Sequence, residues 1–547
     1  MRKYIGIPVL LLLLAGCARK EVIPEEASKP VLSSISVLEK DLVLLQGGSC
    51  ELNFTVNSPS YSFNYDVTSS ECQVLLRKPG GLLPTGVRIA SVAAGQLPGT
   101  YTALLADTGG DTAYDENVSL CIQISPVGGA YVSSAAFHVK SERKQPETYT
   151  QTGLPVVYVD TEARAPIVSK EEYVAASMYI LGEGGQEDLQ PVTCSVRGRG
   201  NTTWSWPKKP YLVKLDEKTS VLDMPKHKRW ILLANFMDRT LMRNLVSMKL
   251  SSMTSLAWTP RCRPVELVLN GRHVGSYLLI EQVRVDKNRV NITEMKAEDN
   301  SGDAVTGGYL LELDFHYDNE VQWVDAHGGS FQWGQESGIP FGVKYPDPED
   351  LTSAQLDYIK GYIAKAASTL YGEQFTDPSE GYAAYLDVDS FIDYWLVYEL
   401  MCNHELGNPG SVHMHKDRGG KLVAGPCWDF DWGILSFYTS AGETQLVNRN
   451  AIWYGRLFQD PVFAEKVKAR FNELLPQLQT IPDYMDQCEA LLTESAKLNF
   501  KMWNPAEDRS MNGGHIINGD ENLSFHDAVQ RLKHNYEKHL QVMQEKL

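Results

Sequence analysis

The chain has 547 residues, 43% of them hydrophobic and 22% charged, and its 51 basic against 68 acidic side chains leave a formal charge of −17. This is the composition of an ordinary globular protein and excludes a low-complexity or disordered chain. So acidic a chain argues against a nucleic-acid polymer or anionic lipid as its main partner, and a phosphate-bearing ligand has to be held locally, by a few cations or through a divalent metal.

Arg2 and Lys3 precede a short apolar run, Tyr4 to Leu14, and Leu14-Ala15-Gly16-Cys17 follows. The run is too short to cross a hydrocarbon core of about 30 Å as a helix, so residues 1–17 read as a signal peptide. The small residues before a cysteine resemble a bacterial lipobox. That makes Cys17 the expected lipidation site, the lipid the expected membrane contact, and the cell envelope the expected location. Eight further cysteines are too scattered for a zinc motif and too few for a disulfide scaffold. Around Cys50, Cys72 and Cys121 the surroundings are strand-like, where one bridge or free thiols would both fit.

Residues 18–30 are polar and read as a linker. Over 31–143, short period-two runs such as Cys50-Glu51-Leu52-Asn53-Phe54-Thr55-Val56 alternate with turn residues, which predicts an all-β, immunoglobulin-like sandwich. It contains no catalytic cluster, so a spacer or display role is expected. Ser141 to Gly153 reads as the boundary. From 154 to 547 strands and helices alternate, giving an α+β class overall. Strands are predicted at Val156–Val159, Val192–Val196, Tyr211–Leu215 and Trp230–Leu233. A helix is expected from about Met237 to Ser252 with Asp238 as its cap, then a hairpin turning at Asn270-Gly271, and mainly helices after Ser353.

Three stretches carry chemistry. Arg197-Gly198-Arg199-Gly200-Asn201 follows a strand, and Lys214 stands on the next one. Glycines let backbone N–H groups approach phosphate oxygens, and a strand lysine adds a point charge, although two glycines also suit an ordinary turn. Asn403-His404-Glu405-Leu406-Gly407-Asn408 is a loop with a carboxylate and amides after an apolar helix. Trp428-Asp429-Phe430-Asp431 follows a short strand, where an aspartate can fix Mg²⁺ or simply cap a turn. His413 and His415 share one face of a strand and suit a structural pair better than a transition-metal site. Glu312, Asp314 and Glu405 leave glycoside hydrolysis open, because their separations are not legible in the sequence.

Together with Leu154-Pro155, Pro207 to Tyr211, Trp230 to Asn235, Met237 to Asn244 and Gly308 to Asp314, these stretches resemble the spore-coat-protein CotH kinase family over about 154–475. The resemblance implies an atypical protein-kinase-like domain that transfers phosphate from ATP, with Mg²⁺ or Mn²⁺, to hydroxyls of exported proteins. It implies that Arg197, Gly198, Gly200 and Lys214 contact ATP, with Glu281 as the ion-pair partner of Lys214. Asp429 and Asn408 would serve the metal, Glu405 would be the catalytic acid, and Arg243 and Asn244 would order the site. Family members usually carry Asp where this chain has Glu405. An extra methylene displaces the carboxylate by more than an ångström, a shift that costs on the order of a hundredfold in rate. A weakened or inactive kinase-like scaffold that binds a polysaccharide or protein is therefore the competing expectation.

Overall fold

The computed structural model describes residues 34–45, 48–57, 67–68, 72–84, 86–95, 97, 99–108, 114–124, 132–142, 151–315, 321–332, 335–436, 442–504, 519–520 and 522–547. The export segment, Cys17 and the linker lie outside these residues. The chain divides into two compact units, the second of which contains Glu142–Leu547.

In the first unit, β1 (Ser34–Val37), β2 (Asp41–Leu45), β3 (Ser49–Asn57), β4 (Cys72–Arg77), β5 (Val87–Ala94), β6 (Thr100–Asp107), β7 (Asp115–Ile124), β8 (Val132–Ser133) and β9 (Phe137–Glu142) form two sheets. Their orders are β1-β3-β6-β5 and β2-β9-β7-β4, with β8 beside β7. Alternation turns Leu52, Phe54 and Val56 from one sheet, and Val118, Leu120 and Ile122 from the other, into a shared core, which makes a β-sandwich. The described cysteines are all free thiols. Cys72 pairs in register with Ile124 and Cys121 with Leu75, so the strand register sets the two thiols three residues apart and no bridge forms.

The second unit begins with a closed barrel of β10 (Val156–Thr161), β11 (Val174–Leu181), β12 (Glu187–Gly198), β13 (Tyr211–Val221), β14 (Met224–Leu233), β15 (Cys262–Leu269) and β16 (Arg272–Glu281), in the order β10-β11-β12-β13-β14-β16-β15. Val196, Val213, Leu215, Trp230 and Leu232 point inward and fill it. Leu212 and Ile231 point outward and join the larger core beyond. Asn270 and Gly271 have φ of 52° and 78°, as a type I′ hairpin requires. A short α1 (Thr202–Ser205) links β12 to β13, and α2 (Arg243–Ser251) links β14 to β15. The expected helix thus starts later than its sequence suggested. Asp238 spends its carboxylate on an intervening turn, accepting from Thr240 N (2.9 Å) and Arg243 N (2.8 Å).

A second sheet follows, of β17 (Tyr309–Leu313), β18 (Gln322–Gln332), β19 (Gln335–Tyr345), β20 (Val412–Lys416) and β21 (Leu422–Ala424), ordered β18-β19-β17-β20-β21. Around it lie α3 (Ser353–Leu370), α4 (Val388–Leu400), α5 (Tyr454–Leu457), α6 (Pro461–Leu478), α7 (Ile481–Met502) and α8 (Phe525–Lys546). The α4 helix is buried along almost its whole length: Trp395, Tyr394 and Tyr398 anchor the core there, and its buried carboxylates Asp393 and Glu399 are paired with Arg470 and His539. The class is α+β. Among the described residues no helix is long and apolar enough to cross a membrane.

Candidate functional site

The acidic side of the site is assembled from three segments. β17 carries Glu312, paired across the sheet with His413 of β20, and Asp314 follows at its end. After α4, Asn403 caps a 3-10 turn at His404–Leu406, its Oδ1 accepting from Glu405 N at 2.9 Å. Its Nδ2 donates to Asp429 O at 3.2 Å, so one asparagine ties the loop to the aspartate stretch after β21. Asp429 itself sits at φ +64°, a left-handed conformation that costs a non-glycine residue energy and persists only where its surroundings over-determine it. They do so here. Phe430 N donates to Asn244 Oδ1 (2.8 Å), and Arg243 Nε donates to Ile434 O (2.8 Å) while its other nitrogens meet Asp238 and Asp520.

Burial, reinforced by Asp429, Asp431 and Asp314, pushes the Glu405 carboxyl well above the usual carboxylate range. Burial and then Asp429 do the same to Asp431. Glu405 is half-buried as a residue, yet its Oε2 is buried without a hydrogen-bond partner, and so is Asn408 Oδ1. Facing the acids is Arg199, stacked 5.7 Å from the Trp428 ring. Burial lowers its pKa, against the raising influence of Asp429, Asp431 and Glu312. His413 is pushed down to about 4, by burial first, with Glu312 3.6 Å away. His415 meets Gly425 O through Nδ1 at 3.2 Å.

Among the described residues no group of three His, Cys, Asp or Glu could hold a metal ion as it stands. The residues do fit Mg²⁺ or Mn²⁺ in a looser sense. Asp431, whose proton affinity is raised by burial and by the neighbouring Asp429, and the Asn408 Oδ1, buried without a hydrogen-bond partner, are oxygen donors of the kind a hard cation takes, with water and phosphate completing its shell.

The basic side differs from the expectation in two respects. The glycine loop does not offer its first N–H groups to a ligand, because Gly198 N donates to Ser169 O and Arg199 N to Pro210 O. Gly198 is small for another reason: a Cβ there would lie 2.3 Å from the Trp204 ring. Gly200, at φ +88°, is a turn glycine in front of α1. The expected pair of Lys214 and Glu281 is also absent. Lys214 is opposite Arg229 on β14, whereas Glu281 is opposite Trp230, so adjacent positions of β14 send the two to opposite faces of the barrel wall. Glu281 is fully buried, accepts from Arg261 N (2.9 Å) and lies 3.8 Å from Arg289 Nε. Lys214 is exposed and stands over the Tyr173 ring at 5.8 Å, beside Arg197 at 5.2 Å.

Arg199, Asp431, Arg229 and Tyr173 were not assigned roles from sequence. Arg199 lay inside the glycine motif, and its charge beside Asp429 emerges only once the loop meets Trp428. Arg229 was legible only as the residue alternating with the inward Trp230.

The sequence profile of the family described as "CotH kinase protein" matches residues 196–545. No curated protein matches the chain. Among solved structures, a marsupial T cell receptor is 11% identical, with 33% of this chain and 90% of that one covered and a TM-score of 0.14. Surface layer protein SbsC, domains 4–9, is 12% identical, with 46% of this chain and 27% of that one covered, also at a TM-score of 0.14. Neither likeness bears on fold or function at that score.

Proposed function

The chain belongs to the CotH kinase protein family, and on that premise we propose that it is an atypical protein kinase that moves the terminal phosphoryl group of ATP to Ser or Thr hydroxyls of exported proteins. The observation that carries this reading is the meeting of Glu405, Asp429 and Asp431 in one acidic cluster with Arg199 against it. Asp429 and Asp431, with the Asn408 amide oxygen, would hold the metal, which when bound supplies positive charge to the phosphate oxygens. Arg199 would steady the charge that spreads over the transferring group. Glu405 would take the proton of the attacking hydroxyl as the new O–P bond forms and the bond to the ADP leaving group breaks. Its raised proton affinity suits that task once cations offset its acidic neighbours.

The kinase-like fold is part of the proposal. It is supported by the succession of barrel strand, helix α2, hairpin, second sheet, carboxylate loop and aspartate stretch. An N-terminal lipid on Cys17 and a cell-envelope location complete the reading, and the acidic body favours basic or neutral acceptors. The competing reading, a weakened kinase acting as a binding module, draws on the Glu405 substitution and on the occupied N–H groups of Gly198 and Arg199. Incubation with γ-labelled ATP, Mg²⁺ or Mn²⁺ and a basic Ser-rich protein decides between them. Label on the acceptor, lost in Asp429→Asn, is expected. Silence across acceptors together with retained ATP binding would make the chain a pseudokinase.

A further inference from the structure

Three successive barrel strands, and the residue just before a fourth, each send one side chain to the same outward patch. Tyr173 immediately precedes β11, whose Val174 is opposite Val196; Arg197 is near the end of β12 and opposite Leu212, two positions from Lys214 on the same face of β13; and Lys214 is directly opposite Arg229 on β14. Arg197 and Lys214 flank the Tyr173 ring at 5.2 and 5.8 Å, and Arg229 Nη1 donates to its hydroxyl at 3.1 Å. Tyr173 is 37% exposed. Among the described residues none of the three cations is paired with a carboxylate. Three unpaired like charges gathered on one ring repel one another, in a chain that otherwise carries −17, and a bound anion removes that cost. The patch continues toward the acidic pocket, since Arg197 is the neighbouring cation of Arg199, which faces Asp429 and Asp431.

We propose that Tyr173, Arg197, Lys214 and Arg229 form a side-chain cradle for the phosphate tail of the nucleotide. In this assignment Arg229 is a direct ligand and Tyr173 the positioning residue that holds it, a role the sequence motifs assign to neither. The proposal rests on the ATP reading given above. It explains how a chain whose loop N–H groups are engaged elsewhere would still grip phosphate: the fork of an arginine replaces the backbone. The Tyr173 hydroxyl fixes the Arg229 rotamer, so less freedom is lost on binding.

The test is calorimetry of inorganic tripolyphosphate in chelator, and separately of ATP with Mg²⁺, on the full chain. Arg229→Ala is expected to weaken tripolyphosphate about tenfold or more. Tyr173→Phe, which keeps the ring and loses the hydroxyl, should weaken it about threefold with an unchanged melting temperature, and added salt should erode wild-type affinity. If Arg229→Ala melts early, Arg229→Gln carries the measurement. Equal tripolyphosphate affinity in wild type and either Arg229 variant overturns the cradle, as does a poly-glutamate peptide that binds as tightly as tripolyphosphate. ATP–Mg²⁺ binding that needs Asp429 but not Arg229 overturns the cradle and leaves the kinase reading standing. Arg229-dependent tripolyphosphate binding without any ATP binding does the reverse.

Discussion

Glu405 concentrates the tension in the site. A carboxylate whose proton affinity is raised in the fold favours its neutral form there, so its contribution to stability is greatest below its unfolded pKa and is lost as pH rises toward its folded value. Without metal, the melting temperature should therefore fall between pH 5 and pH 8. Glu405→Gln should flatten that fall while cutting phosphoryl transfer by roughly 10²- to 10⁴-fold. A variant that melts with the same pH slope as the wild type would show that Glu405 is not the strained group. At this scale the sequence was a partial guide. Asp429 and Glu405 stood in recognisable stretches, but which acids share a pocket depended on β17 lying beside β20, and no local pattern reports that. The Lys214–Glu281 pairing failed for the same reason. Alternation showed each residue's place on its own strand, while the strand standing between them was set by barrel order.

At the scale of elements, the docking of α7 on the barrel is unusually specific. Lys208 is buried, and its ammonium donates to Ala234 O (2.7 Å), Asn499 Oδ1 (2.8 Å) and Ser276 O while lying 4.5 Å from the Tyr277 ring. Asn499 also accepts from Ser276 N at 3.2 Å. That approach needs Gly275, which sits at φ +107° and whose Cβ would meet Asn499 Oδ1 at 2.7 Å. Gly275→Ala should cost about 1–3 kcal/mol in urea denaturation. Combined with Asn499→Ala it should cost less than the sum, because the variants relieve the same contact. Strict additivity would contradict the latch. The helices and strands themselves were largely legible from periodicity and from the Asn270-Gly271 turn. The start of α2 was not, because Asp238 could cap a turn as readily as a helix.

Across the whole molecule, the C-terminal helix closes the large core through His539, buried between Gly442 O (2.6 Å) and Glu399 Oε1 (3.0 Å). Burial alone would lower its pKa, but hydrogen bonds to Cys402 and Glu399 prevail and raise it to about 11. A raised histidine stabilises fully below its unfolded pKa near 6.5 and loses that contribution as pH climbs through about 11. His539→Gln should thus lower the melting temperature clearly at pH 6 and much less at pH 10.5, and an equal deficit at both would contradict the ion pair. Segregation of charge is the wider lesson. Among the described residues an acidic cluster and a basic patch adjoin through Arg199, which feels Asp429 and Asp431 on one side and Arg197 on the other, and that is what phosphate and metal together require. The most direct test is titration of ATP with Mg²⁺ into the full-length protein by calorimetry, beside Asp429→Asn. Saturable binding that the variant loses while its melting temperature stays within a few degrees is the predicted result. Binding of equal strength in both proteins would contradict the assignment of this pocket as the nucleotide–metal site.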